Sequence, residues 1–169
     1  MEDIGIGSWI HRRRRKSAGR VALVSNNTAV HYEELAERID RFASALAHRG
    51  IAKGDRVAYL GDNHPAFLET LFATTTLGAI FVPLNTRLAP PEVRYALQDS
   101  GSRVLVHSDT LQGVAVSGST GTEVGHRIIV RENNSGTTTP ARPATSGSVV
   151  IEDLTRCCRP AHRSIGTYR

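Results

Sequence analysis

Between Tyr32 and His48, Leu35, Ile39, Phe42, Ala43 and Leu46 recur every three or four residues, while Glu33, Glu34, Glu37, Arg38, Asp40 and Arg41 take the opposite positions. That period predicts an amphipathic helix with one buried and one solvated face. Acidic residues crowd its first turn and His48-Arg49 close its last, as the helix dipole prefers, and Gly50 supplies the stop. Glu34 stands where a capping-box acid would stand relative to position 31, but His31 replaces the usual Ser or Thr, which predicts a weak cap.

The next stretch, Gly50 to Thr86, organises the chain. Gly50 to Asp55 reads as a tight connection, Arg56 to Leu60 as a short strand, Pro65 to Leu77 as a helix closed by Gly78, and Ala79 to Pro83 as a second strand. Strand, helix and strand in that order make a parallel βαβ unit. Asn63 or His64 can cap the helix, Pro65 suits its first turn, and Phe67, Leu68, Leu71, Phe72 and Leu77 give it a broad apolar face. Thr74-Thr75-Thr76 is poor for helix propensity, so burial must hold that end. Pro90-Pro91 starts a further helix that Asp99-Ser100-Gly101 ends, and Arg103 to His107 is another strand with Ser108-Asp109-Thr110 just past its end.

Upstream, Arg20 to Ser25 and Ala29 to His31 read as a hairpin turned by Asn26-Asn27-Thr28, because Asn tolerates left-handed geometry. Residues 4–19 predict a short helix with Ile6, Trp9 and Ile10 as its apolar stripe and Arg12 to Lys16 in its last turns. After Leu111 the texture changes: 24 of the 58 residues from Gln112 to Arg169 are Gly, Ser, Thr or Pro, a composition that favours loops. Only Arg127 to Val130 and Ser148 to Ile151 look like strands there, and no helix is expected. The expectation is an α/β portion over 1–111, a mostly parallel sheet with flanking helices, followed by a weakly ordered tail over 112–169.

The basic excess sits at the two ends of the chain: residues 112–169 carry 7 Arg against 4 acidic residues, and the rest of the excess lies near the start. Residues 1–111 carry 14 Lys and Arg against 12 Asp and Glu, and without Arg12, Arg13, Arg14, Arg15, Lys16 and Arg20 the balance is 8 against 12. The Arg12 to Lys16 run reads first as a solvated helix end and second as an arm for a polyanion. A nucleic-acid domain shows a basic face through its fold, so no nucleic-acid partner is expected. No apolar run approaches a membrane span, and the start of the chain lacks a signal-peptide pattern, so a cytoplasmic protein is expected. The two cysteines, Cys157 and Cys158, are adjacent and make no disulfide framework.

Four segments together resemble the AMP-forming acyl-CoA synthetases, within the wider adenylate-forming enzymes. His31-Tyr32-Glu33-Glu34-Leu35 resembles the family's Thr-Tyr-x-Glu-Leu helix start, with His for Thr. Gly50 to Ala58 resembles its Gly-x-x-Lys-Gly-Asp-Arg-Val turn and strand, and Asp62-Asn63 falls where the family steps into a helix. Leu77 to Asn85 resembles its Leu-Gly-Ala-x-x-x-Pro-Leu-Asn, and Pro90-Pro91-Glu92 and Asp99-Ser100-Gly101-Ser102 continue the order. No single segment is specific; their order and spacing over 19–109 are. The fatty-acid–CoA ligase branch is the nearest in flavour.

The resemblance implies activation of a carboxylate by ATP to an acyl-adenylate, then thioester formation with CoA, with Mg²⁺ offsetting the meeting of anions. In the family the phosphate loop, an aromatic-Thr-Glu segment, a ribose-binding Asp and a late Lys all follow the matched region. The one local imitation of the phosphate loop is Ser135, Gly136, Thr137 and Thr138, against Thr-Ser-Gly-Thr-Thr-Gly-x-Pro-Lys-Gly. Thr139 takes the place of the next Gly, Arg142 is a loose stand-in for the Lys, and Pro143 removes an N–H donor, so the run reads better as a Thr-rich loop. Cys157, Cys158 and His162 lack zinc-ligand spacing, and Ser100, Ser108 and Ser117 lack a nucleophile elbow, so neither a metal site nor a catalytic residue is assigned.

Three readings follow. The chain is an N-terminal part of such a synthetase, cut before its ATP site and inactive alone, with no ATP, Mg²⁺ or CoA held by it. Alternatively it is one part of a split synthetase with a complementing chain. A third reading is a non-enzymatic module that binds anions through the Arg12 to Lys16 arm.

Overall fold

Local chemistry sets the first turns. Asn26 and Asn27 both adopt left-handed conformations, φ 49° and 59°, and reverse the chain between β1 (Val21–Ser25) and β2 (Thr28–His31), which pair antiparallel. In this computed structural model residues 5–131 are described. The hairpin follows α1 (Ser8–Ser17) and leads into α2 (Tyr32–His48).

From Arg56 the chain alternates strand and helix: β3 (Arg56–Leu60), α3 (Pro65–Thr76), β4 (Ile80–Leu84), α4 (Pro90–Ser100), β5 (Val104–Ser108), a 3-10 turn (Asp109–Leu111), α5 (Gln112–Ser119) and β6 (His126–Val130). The four strands pair in parallel in the order β4-β3-β5-β6. Parallel pairing follows from crossover helices, which must cover the sheet faces. One core joins Val57, Tyr59, Val104, Val106, Ile128 and Val130 to α2 and α3. A second, on the other side of β3 and β5, joins Ala58, Leu60 and Leu105 to Val93 and Leu97 of α4 and Ala115 of α5. Alternate strand residues thus feed opposite cores, as the pleat requires.

The segment with the strongest sequence signature fixes the amino ends of the strands. Gly50 and Gly54 take φ +81° and +87°, values that favour glycine. Asp55 Oδ2 accepts from the Ala52 N–H at 2.8 Å and lies 3.0 Å from Arg103 Nη1. Arg56 Nε donates to the Ser100 carbonyl at 2.6 Å, tying β3 to the end of α4. Gly54 N–H and Ile80 N–H bond across to Gly78 and Asp55 carbonyls. The Lys-Gly-Asp-Arg run is therefore a fastening of backbone ends.

Four expectations are corrected. First, the chain past Leu111 contributes a helix: α5 buries Ala115, Gly118 and Ser119, and Gly118 packs so tightly that a Cβ there would stand 2.7 Å from Val93. Sequence texture misses it because small residues carry little periodic signal. The chain is packed into the fold through Val130, so the change at Gln112 does not mark its edge. Second, Arg38, read as solvated, is buried. Third, α3 buries Ala66, Glu69, Thr70, Ala73 and Thr74, whereas Phe67, Leu68, Leu71, Phe72 and Leu77 are half-buried, because its small face lets it approach the sheet and α2. The threonine run is held as expected by burial of Thr74, and the Thr75 and Thr76 hydroxyls donate to the carbonyls of Leu71 and Phe72 at 2.8 and 2.7 Å. Fourth, of the apolar stripe expected on α1 only Ile10 is buried; Trp9 is 54% exposed.

Candidate functional site

In an open parallel sheet, the crevice for a ligand forms at the carboxyl ends of two adjacent strands whose connections leave to opposite faces. Here β3 runs on to α3 over the first core and β5 runs on to α5 over the second, and the two strands are neighbours. A crevice of about 300 Å³ lies there, lined by Tyr59, Asp62, His64, Ser108, Asp109, Thr110, Val130 and Arg131. The ends of β3, β5 and β6 and the residues that follow each of them build it.

Each side chain is placed by local structure. Tyr59 is packed edge-on to Phe67, with ring centroids 5.3 Å apart, and its hydroxyl donates to the Asp62 carbonyl at 3.2 Å. Burial, with the nearby carboxylates of Asp62 and Glu69, pushes its phenol up to about 12, so it stays a hydrogen-bond donor. His64 caps α3: its Nδ1 accepts from the Ala66 N–H at 3.1 Å, with Pro65 in the first turn. Ser108 and Thr110 hydroxyls are 3.0 Å apart at the start of the 3-10 turn.

The crevice can orient a small polar molecule through hydroxyls, one guanidinium and two carboxylates. Asp62 and Asp109 line it beside Arg131, so a bound anion would meet two carboxylates as well as one guanidinium. Among the described residues no group of three or more His, Cys, Asp or Glu is placed to hold a metal ion. No helix among them is long and apolar enough to cross a membrane.

The phosphate-loop imitation, Ser135, Gly136, Thr137 and Thr138, lies outside the described residues, as do Cys157, Cys158 and His162. Arg12 to Lys16 lie on α1, which packs on α2. The crevice residues were not assigned from sequence. The available signal was positional: polar residues immediately after parallel strands, such as Asp62 after β3 and Ser108-Asp109-Thr110 at the end of β5.

Comparison with known proteins covers both sequence and fold. The profile of the family described as AMP-binding enzyme matches residues 10–157. Feruloyl-CoA synthase from Amycolatopsis sp is 53% identical over 108 residues, which are 64% of this chain and 22% of that protein. The long-chain-fatty-acid–CoA ligase FadD13 from Mycobacterium tuberculosis is 42% identical over 110 residues, 63% of this chain and 21% of that one. Among solved structures, the N-terminal domain of FACL13 from Mycobacterium tuberculosis superposes with a TM-score of 0.69 at 35% identity, covering 74% of this chain and 33% of that one. The chain thus spans about a fifth of the length of the curated relatives it matches.

Proposed function

The chain belongs to the AMP-binding enzyme family, and from that premise we propose that it forms the amino-terminal α/β unit of a carboxylate–CoA ligase. The reaction of the whole enzyme is activation of an aryl or fatty carboxylate by ATP with Mg²⁺, followed by transfer to CoA. Relatives named for ferulate and for long-chain fatty acids both match the same region, so the proposed substrate class spans both.

Within that enzyme the described residues act as scaffold. The observation that carries this reading is the position of the family-like segment: Asp55 and Arg56 fasten the amino ends of the strands, opposite the crevice at their carboxyl ends. Ser135, Gly136, Thr137 and Thr138 are not proposed as a working phosphate loop, because Thr139, Arg142 and Pro143 depart from the pattern. We propose that these 169 residues alone do not adenylate a carboxylate.

The test is pyrophosphate release by the purified chain with ATP, Mg²⁺ and either ferulate or a long-chain fatty acid. No release above a mock preparation is expected. Release that disappears on Ser135→Ala or Thr137→Ala would overturn the reading.

A second reading, one part of an enzyme completed by another chain, is favoured by open sheet edges and half-buried apolar side chains. Ile80 on β4, an edge of the described sheet, is 52% exposed, and Leu68, Leu71 and Phe72 of α3 are only half-buried. Co-expression with the remaining portion of a relative should then yield a complex with ligase activity. Failure of the two chains to co-elute counts against it.

A further inference from the structure

Helix α1 has one face that the fold buries and one that it leaves exposed. Ile10 is buried; near it His11 Nε2 stands 3.4 Å from Asp40 Oδ1 and Arg14 Nη1 stands 3.5 Å from Asp40 Oδ2, which dock the helix on α2. Trp9, Arg12, Arg13 and Lys16 share the other face, at spacings of three, four and seven residues. All four are exposed, and so are Arg15 and Arg20. Ile6, one turn earlier, is 39% exposed, and Trp9 is 54% exposed. The Arg13 guanidinium sits 5.4 Å from the centre of the Tyr32 ring, which holds this face in register with α2.

Among the described residues the basic excess is confined to this helix and the turn after it. Residues 12–20 hold six cationic and no acidic side chains, whereas residues 21–131 hold ten basic and eleven acidic ones. A polybasic patch by itself attracts any polyanion. A long nucleic acid would run from this patch onto a body that is net acidic. A bilayer needs one convex contact only, and an exposed Trp with an apolar neighbour beside basic residues is the composition of an interfacial helix.

We propose that α1 docks the protein on an anionic phospholipid surface. Trp9 and Ile6 enter the headgroup region, and Arg12, Arg13, Arg15 and Lys16 meet the lipid phosphates and carboxylates. Asp40 keeps His11 and Arg14 turned to the protein, so docking does not need α1 to leave α2.

The chain holds a single tryptophan, so Trp9 is its own reporter. The full chain is mixed with phosphatidylcholine vesicles, with and without phosphatidylserine, and Trp emission and co-sedimentation are read. A blue shift and sedimentation are expected with phosphatidylserine only, and both should fade at about 0.5 M salt. Replacing Arg12, Arg13, Arg15 and Lys16 together by Ala should weaken binding by about tenfold or more. Trp9→Ala should weaken co-sedimentation with the charges intact. Circular dichroism checks that the fourfold variant folds; if it does not, quenching of wild-type Trp9 by brominated lipid decides. Equal binding to neutral and anionic vesicles, or no binding, overturns the proposal. So does binding to duplex or single-stranded nucleic acid while vesicles leave the emission unchanged.

Discussion

Arg38 of α2 and Glu69 of α3 meet in the core: Arg38 Nη1 is 3.4 Å from Glu69 Oε1, and the side chains are 6% and 2% exposed. Arg38 also donates through Nη2 to Glu34 Oε1 at 2.6 Å, so one guanidinium bridges a half-exposed acid and a buried one. Burial holds the Glu69 carboxyl above the ordinary carboxylate range, and Arg38 offsets part of that rise. A raised folded value means that this group's contribution turns unfavourable as pH climbs through the ordinary glutamate range, because the unfolded chain ionises first. Removing Arg38 strands the buried Glu69 carboxylate, whereas removing Glu69 leaves Arg38 its Glu34 partner. Arg38→Met should therefore cost about 3 kcal/mol and Glu69→Leu less, while Arg38→Met with Glu69→Leu should recover most of the larger loss. Urea unfolding of the two single variants and the double variant measures both.

His107 gives a pH dependence of opposite sign from the same cause, burial. It is fully buried on β5, its Nδ1–H donates to the Ser108 carbonyl at 2.9 Å, and its Nε2 has no hydrogen-bond partner among the described residues. Burial holds the imidazole below the ordinary value of 6.5, and the charge of Arg127 adds to the effect, against the Ser108 hydrogen bond and Asp109. With the folded value depressed, the unfolded chain takes the proton first, so stability falls as pH drops below 6.5. Denaturation midpoints from about pH 7.5 to about pH 5.5 should fall in the wild type and change less in His107→Leu.

Asp55 works in the acid direction. Its hydrogen bond from the Ala52 N–H, with help from Arg103 and Arg56, holds its carboxyl below the usual 3.8, although partial desolvation opposes this. A depressed carboxylate contributes stability above its unfolded value and loses it as pH falls through the folded one. Asp55→Asn should lower the unfolding midpoint at neutral pH and flatten the acid limb below about pH 4. Activity is not the readout here, because the residue fastens strand ends.

Gly7 marks a close approach. A Cβ there would stand 2.6 Å from the Thr75 carbonyl carbon and the Thr76 nitrogen, both backbone atoms that cannot swing aside. Gly7→Ala should push α1 off the end of α3 and cost about 1–3 kcal/mol. Thermal unfolding measures the loss, and protease cutting within α1 should rise.

Much of the fold was legible because its signals are short-range. The Asn26-Asn27 turn, the period of α2, the Pro65 helix start and the glycines at positive φ each concern neighbours within a few residues. Helix α5 was not legible, since Ala115 and Gly118 gain their meaning only against α4. The face of α3 was misread for the same reason: fit to the sheet, not hydrophobicity, selected its small side.

The matched segments, spread along residues 19–109, point by themselves to the family, because they are short stretches read in order, such as the turn in which Asp55 accepts from the Ala52 N–H. The tertiary structure alone decided the strand order β4-β3-β5-β6, and with it which distant residues share a crevice. Tyr59, Asp109 and Arg131 are separated by 50 and 22 positions in the chain. Only the reversal of winding at β3 and β5 brings them to one sheet end, and the burial of Arg38 beside Glu69 likewise exists only once α2 lies on α3.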